Sequence, residues 1–308
     1  MDSSEDIPHA IRRTFDAWWY RQRHPLRAPG ARARWHARSL AVSERSGAEA
    51  PLRASDLASL ATDTRGTERF LGIYGADGML AALRAHGILD GLARRGFTRI
   101  GVEFDLRDPF EHTARVYDGD PSRRLGELVA SRKHVERIGP VELACEREVI
   151  SIAWLSIEDP DAPTGRPSER LPGQSRPGIG LFRAVMEMSL AGAEHLGFAA
   201  MMAVPAHYHL AWMYHPWFRA VDPVEEGALL ALRHATRTLT RKDASWAIER
   251  SEVRFDGAPW RWKAPVLCAP FDGALRDWFT SMEYARAVVD AADERRARFV
   301  HERVARET

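Results

Sequence analysis

A mixed α/β fold, with a central sheet flanked by helices, is predicted for this chain of 308 residues by three observations. Apolar and polar residues alternate from Ile100, an apolar run without alternation fills 148–157, and stripes at helical spacing lie on both sides of that region. The balance of 45% hydrophobic and 28% charged residues excludes wholesale disorder and fibrous structure. A formal net charge of +1 lacks the basic footprint of a dedicated nucleic-acid binder, so no nucleic-acid partner is expected.

The first 60 residues are rich in Arg and Ala, and they predict a helix over 11–23 followed by a charged linker over 27–50. Between 57 and 96, Leu80, Leu83, Ile88, Leu89 and Leu92 recur at helical spacing, with glycines at the turns. Ile100, Val102 and Phe104 then alternate with Gly101, Glu103 and Asp105, as a half-buried strand does. Two further strands, 113–117 and 125–131, bracket the turn residues Asp118, Gly119, Asp120, Pro121 and Ser122 and read as a hairpin. The run Val149, Ile150, Ile152, Ala153, Trp154, Leu155, Ile157 reads as a central strand buried on both faces.

A loop with five prolines spans 159–177, and loops of that length in a compact domain are usually functional or mobile. It ends in Gly178-Ile179-Gly180, which opens a helix whose apolar face runs from Leu181 to Leu196 and which Gly197 can stop. A short strand at 199–204 follows, then a helix from Pro205 to Tyr214. Beyond it the pattern predicts a helix over 223–242, strands near 252–255 and 265–267, and one long charged helix over 273–306. The organisation expected is an N-terminal helical extension with a flexible linker (1–96), a core (97–222) and a C-terminal helical extension (223–308).

Cys145 and Cys268 form no CxxC pair, and both are expected to be buried apolar thiols. The acidic residues 1–8 lack a basic segment followed by an apolar stretch, and no run of about 18 apolar residues occurs, so a cytoplasmic protein without a membrane span is expected.

The order of buried strand, glycine-rich turn, helix, strand and helix lets a backbone offer several N–H groups to a phosphate. Gly178 and Gly180 occupy the turn, with Gln174 and Arg176 as further donors just upstream. Together with the hairpin around 118–122 and the helix ending at Tyr214, this arrangement over 98–222 resembles the GNAT superfamily of N-acyltransferases. In that family a Gln/Arg-x-x-Gly-x-Gly/Ala turn binds the pyrophosphate of acyl-CoA or the phosphopantetheine of an acyl carrier protein. Here Ser175 stands where the family prefers Gln or Arg, flanked by Gln174 and Arg176, so the chain is expected to be a divergent member with a GNAT-like mixed sheet.

The resemblance implies transfer of an acyl group from a thioester to a small-molecule amine, with acyl-CoA or an acyl carrier protein as donor and no metal. The donor site would comprise Leu155, Ser156 and Ile157 on the central strand and Gln174, Ser175, Arg176, Gly178, Ile179 and Gly180 at the turn. Glu158 is the candidate base, with Glu103 and Glu127 behind it, and Tyr214 the candidate acid for the departing thiolate. Arg166, Arg170 and Arg176 could contact either donor. The oligomeric state stays open, a homodimer being one option.

Two other classes compete. His207, His209 and His215 suggest a metal enzyme, with Glu194 or Asp222 completing the ligands. On a helix His207 and His209 would lie about 200° apart, whereas on a strand they would share a face. Alternatively, the fold binds an acyl ligand or a partner protein without turnover, a reading that the departure at Ser175 favours.

Overall fold

The computed structural model describes residues 69–164 and 170–301. The helix expected at 11–23, the linker at 27–50 and the stretches 57–68 and 302–306 fall outside the described residues. Within them the chain is a mixed α/β fold with eight helices, a seven-stranded sheet and a small three-stranded sheet. Helices α1 (Ala76–Ala85) and α2 (Ile88–Ala93) come first. Gly87 joins them at φ +69°, a left-handed conformation that costs a glycine nothing.

Four antiparallel strands follow: β1 (Ile100–Asp105), β2 (His112–Asp118), β3 (Asp120–Ile138) and β4 (Val141–Ile157). The β2–β3 hairpin is tighter than the expected 118–122 loop, because Gly119 alone turns the chain at φ +72° and Asp118 pairs with Asp120. Strands β3 and β4 are longer than their apolar stretches suggest. Their outer halves, joined at Gly139 and Pro140, form a charged arm in which Arg137 pairs with Glu142 and Arg132 with Glu148. Cys145 lies on that arm and is exposed, contrary to expectation, whereas Cys268 is buried.

Next come α3 (Phe182–His195), β5 (Ala200–Ala203), α4 (Tyr208–Tyr214), β6 (Arg219–Ala220), α5 (Pro223–Ala235), α6 (Arg241–Glu249), β7 (Val253–Phe255), β8 (Ala258–Pro259), β9 (Leu267–Pro270), α7 (Gly273–Phe279), α8 (Met282–Arg296) and β10 (Phe299–His301). Helix α3 ends as expected at Gly197, φ +78°. There the N–H groups of Gly197 and Phe198 return to the carbonyls of Glu194 and Ala193, which satisfies two acceptors that the helix end would orphan.

Two expected long helices are each broken by a cap. Thr240 accepts the Asp243 N–H and starts α6, so the helix expected over 223–242 ends at Ala235. Ser281 accepts the Tyr284 N–H and starts α8, which divides the helix expected from 273. Hydroxyl oxygens at such positions satisfy donors that a continuing helix would not expose.

The large sheet runs β1-β2-β3-β4-β5-β9-β6, which places β4 at its centre. β9 comes from beyond Asp222 yet pairs with β5 and β6, so the sheet is completed by the C-terminal part of the chain. One face packs on α1, α2 and α3 through residues such as Leu83, Leu92, Ile150 and Met186. The other packs on α7 and α8 through Val149, Cys268, Leu275 and Tyr284. No helix among the described residues is long and apolar enough to cross a membrane.

Candidate active site

The centre of the sheet contains an irregularity that the apolar run at 149–157 hides. Val129 pairs with Trp154 and Ala130 with Ile152, so Ala153 is an extra residue on β4, a β-bulge. A bulge reverses which face each later residue takes. Ile150 and Ile152 before it, and Leu155 and Ile157 after it, therefore face the same helices, and all four line one cavity. Trp154 is thrown to the other face and is 45% exposed, which corrects the expectation of a strand buried on both faces.

Beyond the bulge β4 loses its second neighbour. It runs parallel to β5 only from Val149 to Ile152, opposite Ala200 to Ala203. β5 then stops at Val204 and Pro205, and a proline offers no N–H to continue a ladder. A gap opens along the C-terminal end of β4.

The amides facing this gap follow from strand alternation. Glu158 donates its N–H to Leu125 on β3 at 3.0 Å, and successive strand residues turn their amides to opposite edges. Ser156 thus faces β3, while the N–H and C=O groups of Leu155 and Ile157 face the gap. The glycines agree with this assignment. A Cβ on Gly126 of β3 would stand 3.3 Å from the Ser156 oxygen, and one on Gly178 would stand 3.3 Å from the Ile157 oxygen.

Gly178 therefore brings the glycine turn to the open edge of β4, where Pro177 accepts the Asp159 N–H at 2.9 Å. Ile179 is buried and anchors the turn. Gly180, at φ +78°, leads into α3, whose N-cap Leu181 makes no side-chain cap bond and whose first turn carries no acidic residue. An uncapped start of this kind leaves donors and a partial positive charge for an anion.

A guanidinium also stands beside this turn. Arg95, at the end of α2, donates from Nη1 to Gly91 O at 3.1 Å, and its Nη2 would be 3.3 Å from a Cβ on Gly180. Reasoning along the sequence missed Arg95, because 84 residues separate it from Gly180 and no motif links them.

The upstream polar residues hold the loop. Ser175 donates its N–H and hydroxyl to the two carboxylate oxygens of Glu158, at 3.0 and 2.5 Å. Gln174 accepts the Leu171 N–H. Arg176 donates to Pro160 O and to Ala162 O, and Arg170 to Gln174 O and Ser175 O. These guanidinium groups brace backbone carbonyls, and Arg166 lies outside the described residues. Glu158 keeps acceptor capacity, since a carboxylate offers about four lone-pair positions. Glu103 and Glu127 are both paired with Arg115, and Glu127 also with Arg124.

Tyr214 is buried at the end of α4, its ring 5.6 Å from Phe182 at the start of α3 and 5.3 Å from Phe218. Burial pushes its hydroxyl up to about 12, so it stays protonated at neutral pH. It is not among the residues lining the cavity under β4.

The three histidines take different partners. His207 Nδ1 lies 2.5 Å from Glu249, His209 Nδ1 3.0 Å from Ser245, and His215 Nε2 3.1 Å from Glu226. The rings of His207 and His209 stack at 5.6 Å, and burial holds His209 down at about 4. Glu194 is paired with Arg276, and Asp222 caps α5. Among the described residues no group of three or more potential ligands converges on one point.

His207 has a second neighbour, since a Cβ on Gly173 would stand 2.4 Å from its Nε2. The loop thus spans the gap, with Ser175 on Glu158 at the end of β4 and Gly173 against His207 beyond β5. No protein-family model matches the chain, and a search of curated proteins returns no match.

Proposed function

We propose that the protein transfers an acyl group from a thioester, carried by CoA or by an acyl carrier protein, to the amine of a small molecule. The observation that carries this reading is the gap between β4 and β5, with the Leu155 and Ile157 amides turned into it beside the Gly178 turn. A pantetheine arm is a chain of amides, and a strand edge with free N–H and C=O groups is a template for binding it in extended form. At one end of that edge the first turn of α3, with Arg95, would hold the phosphate.

In this arrangement the Leu155 N–H, fixed before the reaction begins, donates a hydrogen bond to the thioester oxygen as negative charge develops on it. The amine forms a bond to the carbonyl carbon and gives a proton to Glu158. The C–S bond then breaks, and Tyr214 supplies the proton that the departing thiolate takes up. A cytoplasmic location is part of the same proposal.

The test is release of free thiol from acetyl-CoA, octanoyl-CoA and octanoyl-carrier protein against a panel of amino acids and polyamines. Amine-dependent release that saturates with donor supports the reading. Saturable donor binding without release from any pair would favour a non-catalytic acyl-binding protein.

A further inference from the structure

Between the sheet and helices α1, α2 and α3 lies a cavity of about 120 Å³. Its floor is the inner face of β2 to β5, and its roof includes Met79 and Leu83 from α1, Leu92 from α2, and Val185 and Met188 from α3. Nearly all of the lining is hydrocarbon or thioether, with Ser189 of α3 among the few polar side chains. It reaches the open edge of β4 at Leu155 and Ile157, the residues that the β-bulge turns towards it, with Ser156 between them.

We propose that this cavity receives the alkyl chain of a medium-chain acyl group, with the thioester carbonyl held at the mouth by β4. The inference rests on the acyltransferase reading of the same site. An apolar cavity of about 150 Å³ stays dry and takes up six-carbon benzene, so this one suits a chain of similar carbon number. Met79, Met188 and Met201 form part of the wall, and unbranched thioethers repack readily, which extends the fit to a chain of about ten carbons. A two-carbon acyl group would leave the cavity unfilled.

Each methylene entering such a site contributes about fourfold in affinity until the space is full. The experiment measures binding of saturated fatty acids from butanoate to dodecanoate by calorimetry, alongside thiol release from the matching acyl-CoAs. Two variants fill the cavity from opposite walls, Ala114→Leu on β2 and Ser189→Leu on α3, and circular dichroism checks that each is folded.

The expected result is affinity that climbs about fourfold per methylene to a plateau at about six to ten carbons, shortened by two or more carbons in a folded variant. Affinity independent of chain length overturns the proposal, as does a length dependence that both folded variants retain. Rapid turnover of acetyl-CoA with no preference for octanoyl-CoA would also overturn it, while leaving the acyltransferase reading standing. Chain-length-graded binding without any thiol release would support the pocket and count against the enzyme reading.

Discussion

Gly178→Asp isolates the donor site. The glycine lies 3.3 Å, at its would-be Cβ, from the Ile157 carbonyl, and its φ is not in the left-handed region, so a side chain meets crowding but no backbone strain. A neighbour at that distance must yield by a few tenths of an ångström, and Gly178→Ala reports this steric cost alone. The aspartate adds a negative charge at the turn where the donor phosphate would sit. Two unit charges about 4 Å apart interact by about 4 kcal/mol at the effective dielectric of a protein surface. Donor affinity should therefore fall by about a thousandfold, against about tenfold or less for Gly178→Ala. Calorimetric titration with CoA and octanoyl-CoA reads both constants, and urea unfolding shows whether the fold survives. If the folded Gly178→Asp variant binds the donor within threefold of wild type, the phosphate does not sit at this turn.

Three further outcomes are expected. Tyr214→Phe should lower turnover by about 10²- to 10⁴-fold with donor affinity unchanged, and full turnover would remove the tyrosine from the mechanism. Gly173→Ala places a methyl 2.4 Å from His207 Nε2 at a residue with φ +78°, costing about 1–2 kcal/mol locally. Loop amides 171–175 should then exchange about 5- to 30-fold faster, and unchanged rates would sever the loop from His207. His209 is held down at about 4 by burial, then by His207 and Arg241, against an ordinary value of 6.5. Between these values the unfolded chain takes up a proton that the folded protein refuses. The stability present above pH 6.5 should therefore decline by about 3 kcal/mol as pH falls to 4. His209→Gln should flatten that decline, and an identical urea profile for the variant would refute the assignment.

The parts of the fold visible in the sequence were those with uniform periodicity. Ile100, Val102 and Phe104 alternate because β1 has one covered face, and the stripe from Leu181 to Leu196 marks the buried side of α3. The bulge at Ala153 was not legible, because a bulge between apolar residues and a strand buried on both faces give the same unbroken run. The arm from Arg132 to Glu148 was missed because charged residues outnumber its apolar ones, although Val135, Ile138, Val141 and Leu143 pack in one cluster with Leu275 and Phe279. Thr240 and Ser281 were available as cap signals within stretches whose helical period otherwise continues. At the site, Gly178 and Gly180 stood out from their own segment. Arg95, Gly173 and Glu249 meet it only through tertiary packing, which local spacing does not encode.

Amide hydrogen exchange at Leu155 and Ile157, with and without octanoyl-4′-phosphopantetheine, shows whether the donor binds along the open edge of β4. This probe carries the phosphate, arm and thioester common to both donors. Strand alternation turns both amides into the gap, so bound donor should slow their exchange while that of Ser156, already directed at β3, stays constant. Saturable binding of the probe with no protection at Leu155 or Ile157 would contradict the account, since the donor would then lie somewhere other than the open edge of β4.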